Sequence, residues 1–339
     1  MSKPIRVLAV DGGGVRGVLP VRMLVALEEM TGKPTADLFD VLVGTSIGGI
    51  GVLGLVRPDS DGKPRWTARD LLELYSTRAG DIFPDTSLTW PQSLAQVSEM
   101  IRRPSPTAAL LGSNPGLGNA RYDPAGLIDI LTGQLGGTML SEAIRHTIVT
   151  TYDVRGQHPA IFDSEAVRNG DQEDIPMLSV ARATSAAPTY FPPMADTDAD
   201  GEERLLVDGG IFANNPALLG YQAALERGIN DVVLVSLGTG RHGPNSSLTR
   251  SEYMGLSWFR LAQSLLESAQ VGSVEVIDSF LRTAIGETYW RFDAPLDGDI
   301  EHDMDNTTQE HIQWLNTAGK AMVGEHVTEL GRLAEELAG

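Results

Sequence analysis

Two hydrophobic patterns alternate along the chain. Short, nearly continuous apolar runs predict strands that are buried on both faces of a sheet, and they lie at 5–10, 41–43, 147–152, 160–162, 205–207, 231–236 and 288–292. Apolar residues at helical spacing separate these runs, for example at Leu19, Met23, Leu24 and Leu27. Because strands alternate with helices, we expect an α/β fold: a three-layer α/β/α sandwich with a mostly parallel central sheet.

The rest of the chain contains an irregular segment and a helical end. Over 80–121 prolines and glycines interrupt every helical stripe, which is typical of a lid or a lipid-contacting loop, although an ordinary packed insertion explains the segment equally well. Two long amphipathic patterns, 255–283 and 307–337, predict helices. We therefore expect a single domain over 1–339, with 80–121 as a lid-like insertion and 255–339 as a C-terminal helical extension.

The run at 41–43 leads directly into a serine motif. Residues 44–48, Gly-Thr-Ser-Ile-Gly, fit G-x-S-x-G, and an apolar stretch of helical length follows them. A strand, a tight turn and a helix form the context of a nucleophile elbow, in which the Ser46 hydroxyl is exposed at the end of the strand. Gly44 and Gly48 would let the strand and the helix approach closely. The alternative is the glycine-rich start of a buried helix.

A glycine-rich loop, Asp-Gly-Gly-Gly-Val-Arg-Gly at 11–17, follows the first predicted strand. Consecutive glycines allow several backbone N–H groups to point into one concavity, which favours an anion. Gly12, Gly14 and Gly17 also fit the dinucleotide fingerprint G-x-G-x-x-G, but the second strand ends in a serine motif where that fingerprint needs an acidic residue. The other interpretation is an oxyanion hole for a tetrahedral intermediate.

A serine nucleophile needs a base. None of the six histidines follows a predicted core strand at a turn motif. Asp208, in contrast, ends the predicted strand at 205–207 and precedes two glycines that open a tight turn. We therefore expect its carboxylate at the same edge of the sheet as Ser46 and the glycine loop. Taken alone, Asp208 is better explained as a helix cap or a turn residue.

Four segments together resemble the patatin-like phospholipase family: 11–17, 44–48, 183–191 (Ala-Thr-Ser-Ala-Ala-Pro-Thr-Tyr-Phe) and 208–210. They occur in the order and at the spacing of that family. The resemblance implies a lipid acyl hydrolase of the phospholipase A type, which uses a Ser–Asp dyad and neither a metal nor a cofactor. Ser46 would be the nucleophile and Asp208 the base. The oxyanion hole would be formed by Gly12, Gly13, Gly14 and Arg16.

Softer features, at 6–17, 31–34, 81–83 and 286–292, resemble the phospholipase effectors of bacterial cyclic-oligonucleotide antiphage defence, CBASS. That resemblance implies activation by a cyclic dinucleotide such as cyclic GMP-AMP. Arginines and stacking rings would bind it, and the candidates are Arg102, Arg103, Arg155, Arg241, Arg260, Tyr122, Tyr152 and Trp258. A constitutive patatin-like esterase or lysophospholipase, and an inactive binding module on the same fold, are the alternatives.

Composition restricts the partners and the compartment. The formal net charge of −19 disfavours nucleic-acid polymers and anionic lipid surfaces at long range. The absence of cysteine excludes disulfides, thiolate metal sites and a cysteine nucleophile. The sequence shows no signal-peptide pattern and no apolar stretch of the roughly 20 residues that a membrane span needs. We therefore expect a cytoplasmic protein, a monomer or a homo-oligomer. The resemblance to the patatin-like family implies that it contacts phospholipid at the inner face of the membrane.

One acidic segment resembles the first half of a calcium-binding loop. Residues 196–201 read Asp-Thr-Asp-Ala-Asp-Gly. The twelfth position of such a loop would be Val207 in place of a bidentate glutamate, and the segment leads into a strand. We interpret it as a solvated acidic turn, with a calcium site as the alternative.

Overall fold

A mixed sheet occupies the middle of the computed structural model, which describes residues 3–83, 120–197, 201–242, 258–296 and 304–339. In chain order the strands of this part are β1 (Ile5–Val10), β2 (Val41–Thr45), β3 (His146–Asp153), β4 (His158–Asp163), β5 (Met194–Thr197), β6 (Glu203–Asp208), β7 (Val232–Leu237), β8 (Arg241–His242), β9 (Tyr289–Phe292) and β10 (Pro295–Leu296). β3, β2, β1, β7 and β9 are parallel neighbours in that order. β4 and β6 pair antiparallel with β3, and β5 pairs antiparallel with β6.

Helices cover both faces of this sheet. In chain order the described helices are α1 (Val18–Thr31), α2 (Thr35–Leu38), α3 (Ile47–Val56), α4 (Ala68–Thr77), α5 (Ala79–Ile82), α6 (Ala125–Leu135), α7 (Ser164–Asn169), α8 (Met177–Thr184), α9 (Gly210–Ala213), α10 (Ala217–Glu226), α11 (Trp258–Ile285), α12 (Gln309–Glu325) and α13 (Val327–Ala338). Successive residues of β1 face opposite sides, as strand geometry requires. Leu8 and Val10 join the core under α1, whereas Val7 and Ala9 join the core under α10 and α11. The predicted three-layer architecture with a mostly parallel sheet is confirmed.

The C-terminal helices differ from the sequence-based prediction. The single helix expected over 307–337 is wrong, because α12 ends at Glu325 and α13 begins at Val327. Between them His326 has φ and ψ of −101° and 13°, and its ring packs edge-on against Phe292 at 5.3 Å between centroids. The other long helix, expected over 255–283, is described from Trp258 to Ile285.

Both described ends of the predicted lid-like insertion contact the C-terminal segment, while residues 84–119 lie outside the described residues. The Thr307 hydroxyl donates to the carbonyl of Phe83 (3.2 Å). The buried carboxylate of Asp305 accepts from the Tyr122 hydroxyl (2.6 Å) and pairs with Arg121 (2.6 Å). The C-terminal segment therefore ties the two ends together.

In the part of the chain that is described, no helix is long and apolar enough to cross a membrane.

Candidate active site

Ser46 lies at the sharp turn between β2 and α3. Its φ of 55° falls in the left-handed region, which costs a non-glycine residue about 1–3 kcal/mol and is concentrated at functional sites. A Cβ atom on Gly44 would lie 2.5 Å from the carbonyl oxygen of Gly48, and one on Gly48 would overlap the carbonyl oxygen of Val10. Gly44 therefore allows the close approach of β2 and α3 at the elbow, and Gly48 allows α3 to lie against the end of β1.

Three buried threonines fix the backbone at the elbow. Thr184 Oγ1 accepts the N–H of Ser46 (2.9 Å) and donates to the carbonyl of Thr150 (2.7 Å). Thr45 Oγ1 donates to the carbonyl of Ala213 (2.6 Å) and so accepts from Thr150 Oγ1 (2.7 Å). Sequence reasoning missed these three residues, although Thr184 belongs to the motif at 183–191 that it singled out.

β3 brings Asp208 next to Ser46. One side of β3 is paired along Ile148–Asp153 with β4, so β2 and β6 share the other side. There Thr150 pairs with Thr45 and the following Thr151 pairs with Asp208. The carboxyl ends of β2 and β6 thus meet nearly head to head. The expected proximity of Asp208 to Ser46 is present, but it arises from an antiparallel strand.

The Asp208 carboxylate is buried beside Ser46. The N–H of Gly210 donates to its Oδ1 (2.8 Å). Burial raises the pKa of Asp208 to about 6, while the Ser46 side chain and the Gly210 N–H act in the opposite direction. A carboxylate with this pKa is ionised at neutral pH, and it is a stronger base than an exposed aspartate.

The glycine loop contributes two unpaired backbone donors. Within the described residues, the N–H groups of Gly13 and Gly14 have no hydrogen-bond acceptor, and both residues line the cleft that contains Ser46. The N–H of Gly12 donates to the carbonyl of Asn214 (3.1 Å) and is already used. Arg16 Nε donates to the carbonyl of Gly13 (3.2 Å), so this side chain supports the loop.

A largely apolar cleft opens above these groups. It encloses about 900 Å³, including its open mouth. Its polar floor contains Ser46 and Asp208 beside Gly13 and Gly14. The apolar lining comes from several elements: Ile47, Ile50, Tyr75, Ala79, Ile82, Phe83, Leu127, Phe191, Ile211, Leu266 and Met304. Such a lining accommodates a hydrocarbon chain that leads away from the serine.

The histidines with described side chains lie away from this cleft. His146 pairs with Asp163 (2.8 Å) at the opposite end of β3 from Ser46. His158, His311 and His326 are likewise not among the residues that line the cleft. Of the histidines described in this way, none is therefore placed to act as the base of Ser46.

Four of the residues proposed to bind a cyclic dinucleotide interact with other groups of the protein. Arg155 pairs with Glu203 (2.5 Å), and Arg241 pairs with Asp293 (3.4 Å). Neither of these arginines lines the cleft. Tyr122 is buried against Asp305, and Tyr152 packs against Phe212 at 6.2 Å between ring centroids. The proposed nucleotide-binding residues Arg102 and Arg103, and the side chains of Trp258 and Arg260, lie outside the described part.

The acidic segment at 196–201 is only partly described. Asp196 belongs to β5 and forms an ion pair with Arg204. Residues 198–200 lie outside the described part. Among the residues that the structure describes, no group of three histidine, aspartate or glutamate side chains could hold a metal ion.

Comparison with known proteins adds independent information. The chain is 28% identical over 361 aligned positions to Patatin-like protein 2 of Arabidopsis thaliana, covering 96% of this chain and 84% of that protein. It is 26% identical to Patatin-17 of Solanum cardiophyllum, covering 97% and 86% of the two chains. The solved structure of human GIVD cytosolic phospholipase A2 is similar with a TM-score of 0.48 and 10% identity, covering 99% of this chain and 61% of that one.

The sequence model described as Patatin-like phospholipase matches residues 8–220, which is more than half of the chain. The match includes the glycine loop, the serine elbow and Asp208. The chain belongs to the patatin-like phospholipase family.

Proposed function

We propose that the protein hydrolyses acyl esters of glycerophospholipids, with Ser46 as nucleophile and Asp208 as its base. Membership of the family makes the chain a lipid ester hydrolase. The observation that carries the assignment of the two residues is their placement: Ser46 follows the end of β2, the buried Asp208 ends the facing strand β6, and both line the cleft. The cleft adds an apolar wall and the N–H groups of Gly13 and Gly14, which have no acceptor among the described residues.

In the first half of the reaction, Asp208 accepts the Ser46 proton as the oxygen attacks the ester carbonyl. The negative charge that develops on the carbonyl oxygen is stabilised by the N–H groups of Gly13 and Gly14. Protonated Asp208 then returns the proton to the leaving alcohol. This proton transfer is direct, because no described histidine lies between the two side chains.

In the second half, water replaces the alcohol. Asp208 accepts a proton from this water, which attacks the acyl–Ser46 ester, and the same two N–H groups stabilise the second tetrahedral intermediate. The fatty acid leaves after Ser46 regains its proton from Asp208. One carboxylate thus serves both steps, and its pKa of about 6 allows it to accept and release a proton near neutral pH.

The apolar wall of the cleft favours binding of the substrate through its acyl chain. Leu127 of α6 and Ile50 of α3 are almost fully buried and line the cleft. Because no charged side chain other than Asp208 lines the cleft in the described residues, a head group would lie outside it.

The apolar lining of the cleft predicts a chain-length effect. Replacing Leu127 with tryptophan should fill the acyl site, so we expect kcat/KM for a sixteen-carbon ester to fall by about tenfold, while a four-carbon ester loses at most about twofold. Hydrolysis of p-nitrophenyl esters of increasing chain length measures this. Equal losses on short and long esters would show that Leu127→Trp damages the fold and not the acyl site.

A fluorophosphonate probe tests the assignment of the nucleophile. Such a probe forms a covalent bond only with an activated serine, so we expect one adduct, on the peptide that contains Ser46. Peptide mapping by mass spectrometry identifies the labelled residue, and heat-denatured protein serves as the control. The inactive binding module on the same fold predicts no adduct, and a different labelled serine would overturn the assignment.

Activation by a cyclic dinucleotide, membrane degradation in antiphage defence and contact with the inner membrane face stay predictions from the sequence resemblance. Isothermal titration with cyclic GMP-AMP, combined with hydrolysis of zwitterionic phospholipid vesicles, tests the activation. We expect binding and an increase in hydrolysis. Full hydrolysis without the nucleotide and no heat of binding would identify a constitutive patatin-like esterase or lysophospholipase instead.

A further inference from the structure

We infer that Thr239 is a positioning residue that sets the direction of the Gly13 N–H in the oxyanion hole. Thr239 follows β7 in the loop Gly-Thr-Gly at 238–240, and its side chain is almost fully buried. It does not line the cleft, so it cannot contact the substrate. Thr239 has this role only if Ser46 is the nucleophile, and it therefore rests on the function proposed above.

The hydroxyl of Thr239 holds one peptide group of the glycine loop. Thr239 Oγ1 donates a hydrogen bond of 2.6 Å to the carbonyl of Gly12. That carbonyl and the N–H of Gly13 belong to the same planar trans peptide, so they point in opposite directions. Fixing the Gly12 oxygen against Thr239 therefore turns the Gly13 N–H to the opposite side of the loop.

The neighbouring peptide group is fixed in a similar way. The carbonyl of Gly13 accepts from Arg16 Nε (3.2 Å) and from the Arg16 N–H (3.2 Å). The N–H of Gly14 shares this peptide plane and so points away from Arg16. Gly13 and Gly14 both line the cleft and lack acceptors in the described part of the chain. Two side chains behind the loop thus determine where its two donors point.

A buried ionic cluster supports the loop that carries Thr239. Arg291 of β9 donates to both carboxylate oxygens of Asp11 (3.0 and 2.7 Å) and to Asp293 (2.9 Å). Asp293 accepts the N–H of Gly240 (2.9 Å), the residue after Thr239. The cluster therefore connects the start of the glycine loop with the loop that carries Thr239. These hydrogen bonds favour one direction of the Gly13 N–H.

The glycine loop at 11–17 and the loop at 238–240 pack closely against their neighbours. A Cβ atom on Gly13 would overlap Oγ1 and Cβ of Thr239, and one on Gly238 would overlap the carboxylate of Asp293. An alanine at Gly13 would therefore push against Thr239.

The substitution that isolates the hydroxyl is Thr239→Val, which keeps the branched shape and removes the donor. We expect kcat to fall by about 10- to 100-fold, because a displaced donor stabilises the transition state less well. KM should stay within about twofold, because Thr239 does not touch the substrate. Thr239→Ser restores the hydroxyl, and we expect its kcat within about threefold of the wild type.

Thr147→Val is the matched control. Thr147 is also fully buried, and its hydroxyl donates to a backbone carbonyl, that of Arg145 (3.0 Å). It lies near the start of β3, whereas Ser46 lies at the carboxyl end of the neighbouring strand β2. This variant should lose as much thermal stability as Thr239→Val and keep the wild-type kcat. If Thr239→Val does not fold, Thr239→Ala replaces it under the same criteria.

A trifluoromethyl ketone gives a second measurement, since its adduct with the serine carries an oxyanion. The affinity for this inhibitor should fall by the same factor as kcat/KM across the Thr239 variants. A wild-type kcat in Thr239→Val, an equally low kcat in Thr239→Ser, or an equal loss in Thr147→Val would each overturn the role of Thr239. Absence of hydrolysis and of Ser46 labelling in the wild-type protein would instead overturn the proposed function.

Discussion

Replacing Ser46 with alanine is expected to reduce ester hydrolysis by roughly 10⁴- to 10⁶-fold, the range found when a catalytic serine is removed. The Ser46 hydroxyl is the only group that we propose to bond covalently to the acyl chain, and alanine offers no substitute for it. The elbow should persist, because its geometry depends on Gly44, Gly48 and the hydrogen bond from the Ser46 N–H to Thr184. Hydrolysis of a p-nitrophenyl ester and of phospholipid vesicles measures the loss.

Ser185→Ala is the matched control for this experiment. Ser185 also lines the cleft, but its hydroxyl donates to the carbonyl of Ala181 (2.7 Å). We expect this variant to retain activity within a few-fold of the wild type and to be labelled by the fluorophosphonate. If Ser46→Ala retained activity within tenfold of the wild type, or if Ser185→Ala were the inactive variant, Ser46 would not be the nucleophile.

The local part of the candidate site is predictable from the sequence. A buried strand followed by G-x-S-x-G and an apolar helix constrains a short stretch of backbone, so the elbow at Ser46 follows from neighbouring residues alone. The glycine loop is similar, since its position between β1 and α1 is encoded by consecutive segments. In both cases the steric need for glycine is visible in the order of the residues.

The long-range part of the site is not predictable in this way. Whether a strand pairs parallel or antiparallel depends on contacts with distant segments, so the pattern at 205–207 predicts a strand that ends at Asp208 but not its antiparallel direction. Thr239 and Arg291 lie more than 220 residues after the loop that they support. The hydrogen bond from the Gly12 N–H to the carbonyl of Asn214 also joins residues that are far apart in the sequence. Such a bond between backbone groups leaves no pattern in a single sequence.

The break at His326 shows the same limitation in the fold. The helical pattern continues through residues 307–337, so periodicity alone predicts one helix. The backbone leaves helical geometry at His326, where its ring packs against Phe292 of β9. Tertiary context commonly overrides a local helical preference.

Replacing Asp208 with asparagine should have two effects of opposite direction. Hydrolysis is expected to fall by roughly 10³-fold or more, because an amide cannot accept the Ser46 proton. The free energy of unfolding at pH 8 is expected to increase. Burial raises the pKa of Asp208 from 3.8 to about 6, so the ionised carboxylate destabilises the folded state, and asparagine has nearly the same shape without the charge.

The sign of the pH dependence follows from the two pKa values. Between pH 3.8 and about 6 the folded wild type keeps a proton on Asp208 that the unfolded chain has lost, so its contribution to stability decreases as pH rises through this range. Asp208→Asn lacks this dependence. Its stability advantage should therefore be largest above pH 7, at roughly 3 kcal/mol or less for a shift of about two pKa units, and vanish near pH 4.

Urea unfolding and kinetics at several pH values measure both effects. Wild-type kcat/KM should fall below pH 6 with an apparent pKa near that of Asp208, since only the ionised carboxylate is a base. The control is Asp129→Asn, which removes a carboxylate that is 80% exposed. This variant should keep the fall of kcat/KM below pH 6 and change the free energy of unfolding by no more than about 0.5 kcal/mol. An Asp208→Asn protein that is less stable than the wild type at pH 8 would contradict the destabilising burial of this carboxylate. Hydrolysis at the wild-type rate by the same variant would contradict its role as the base.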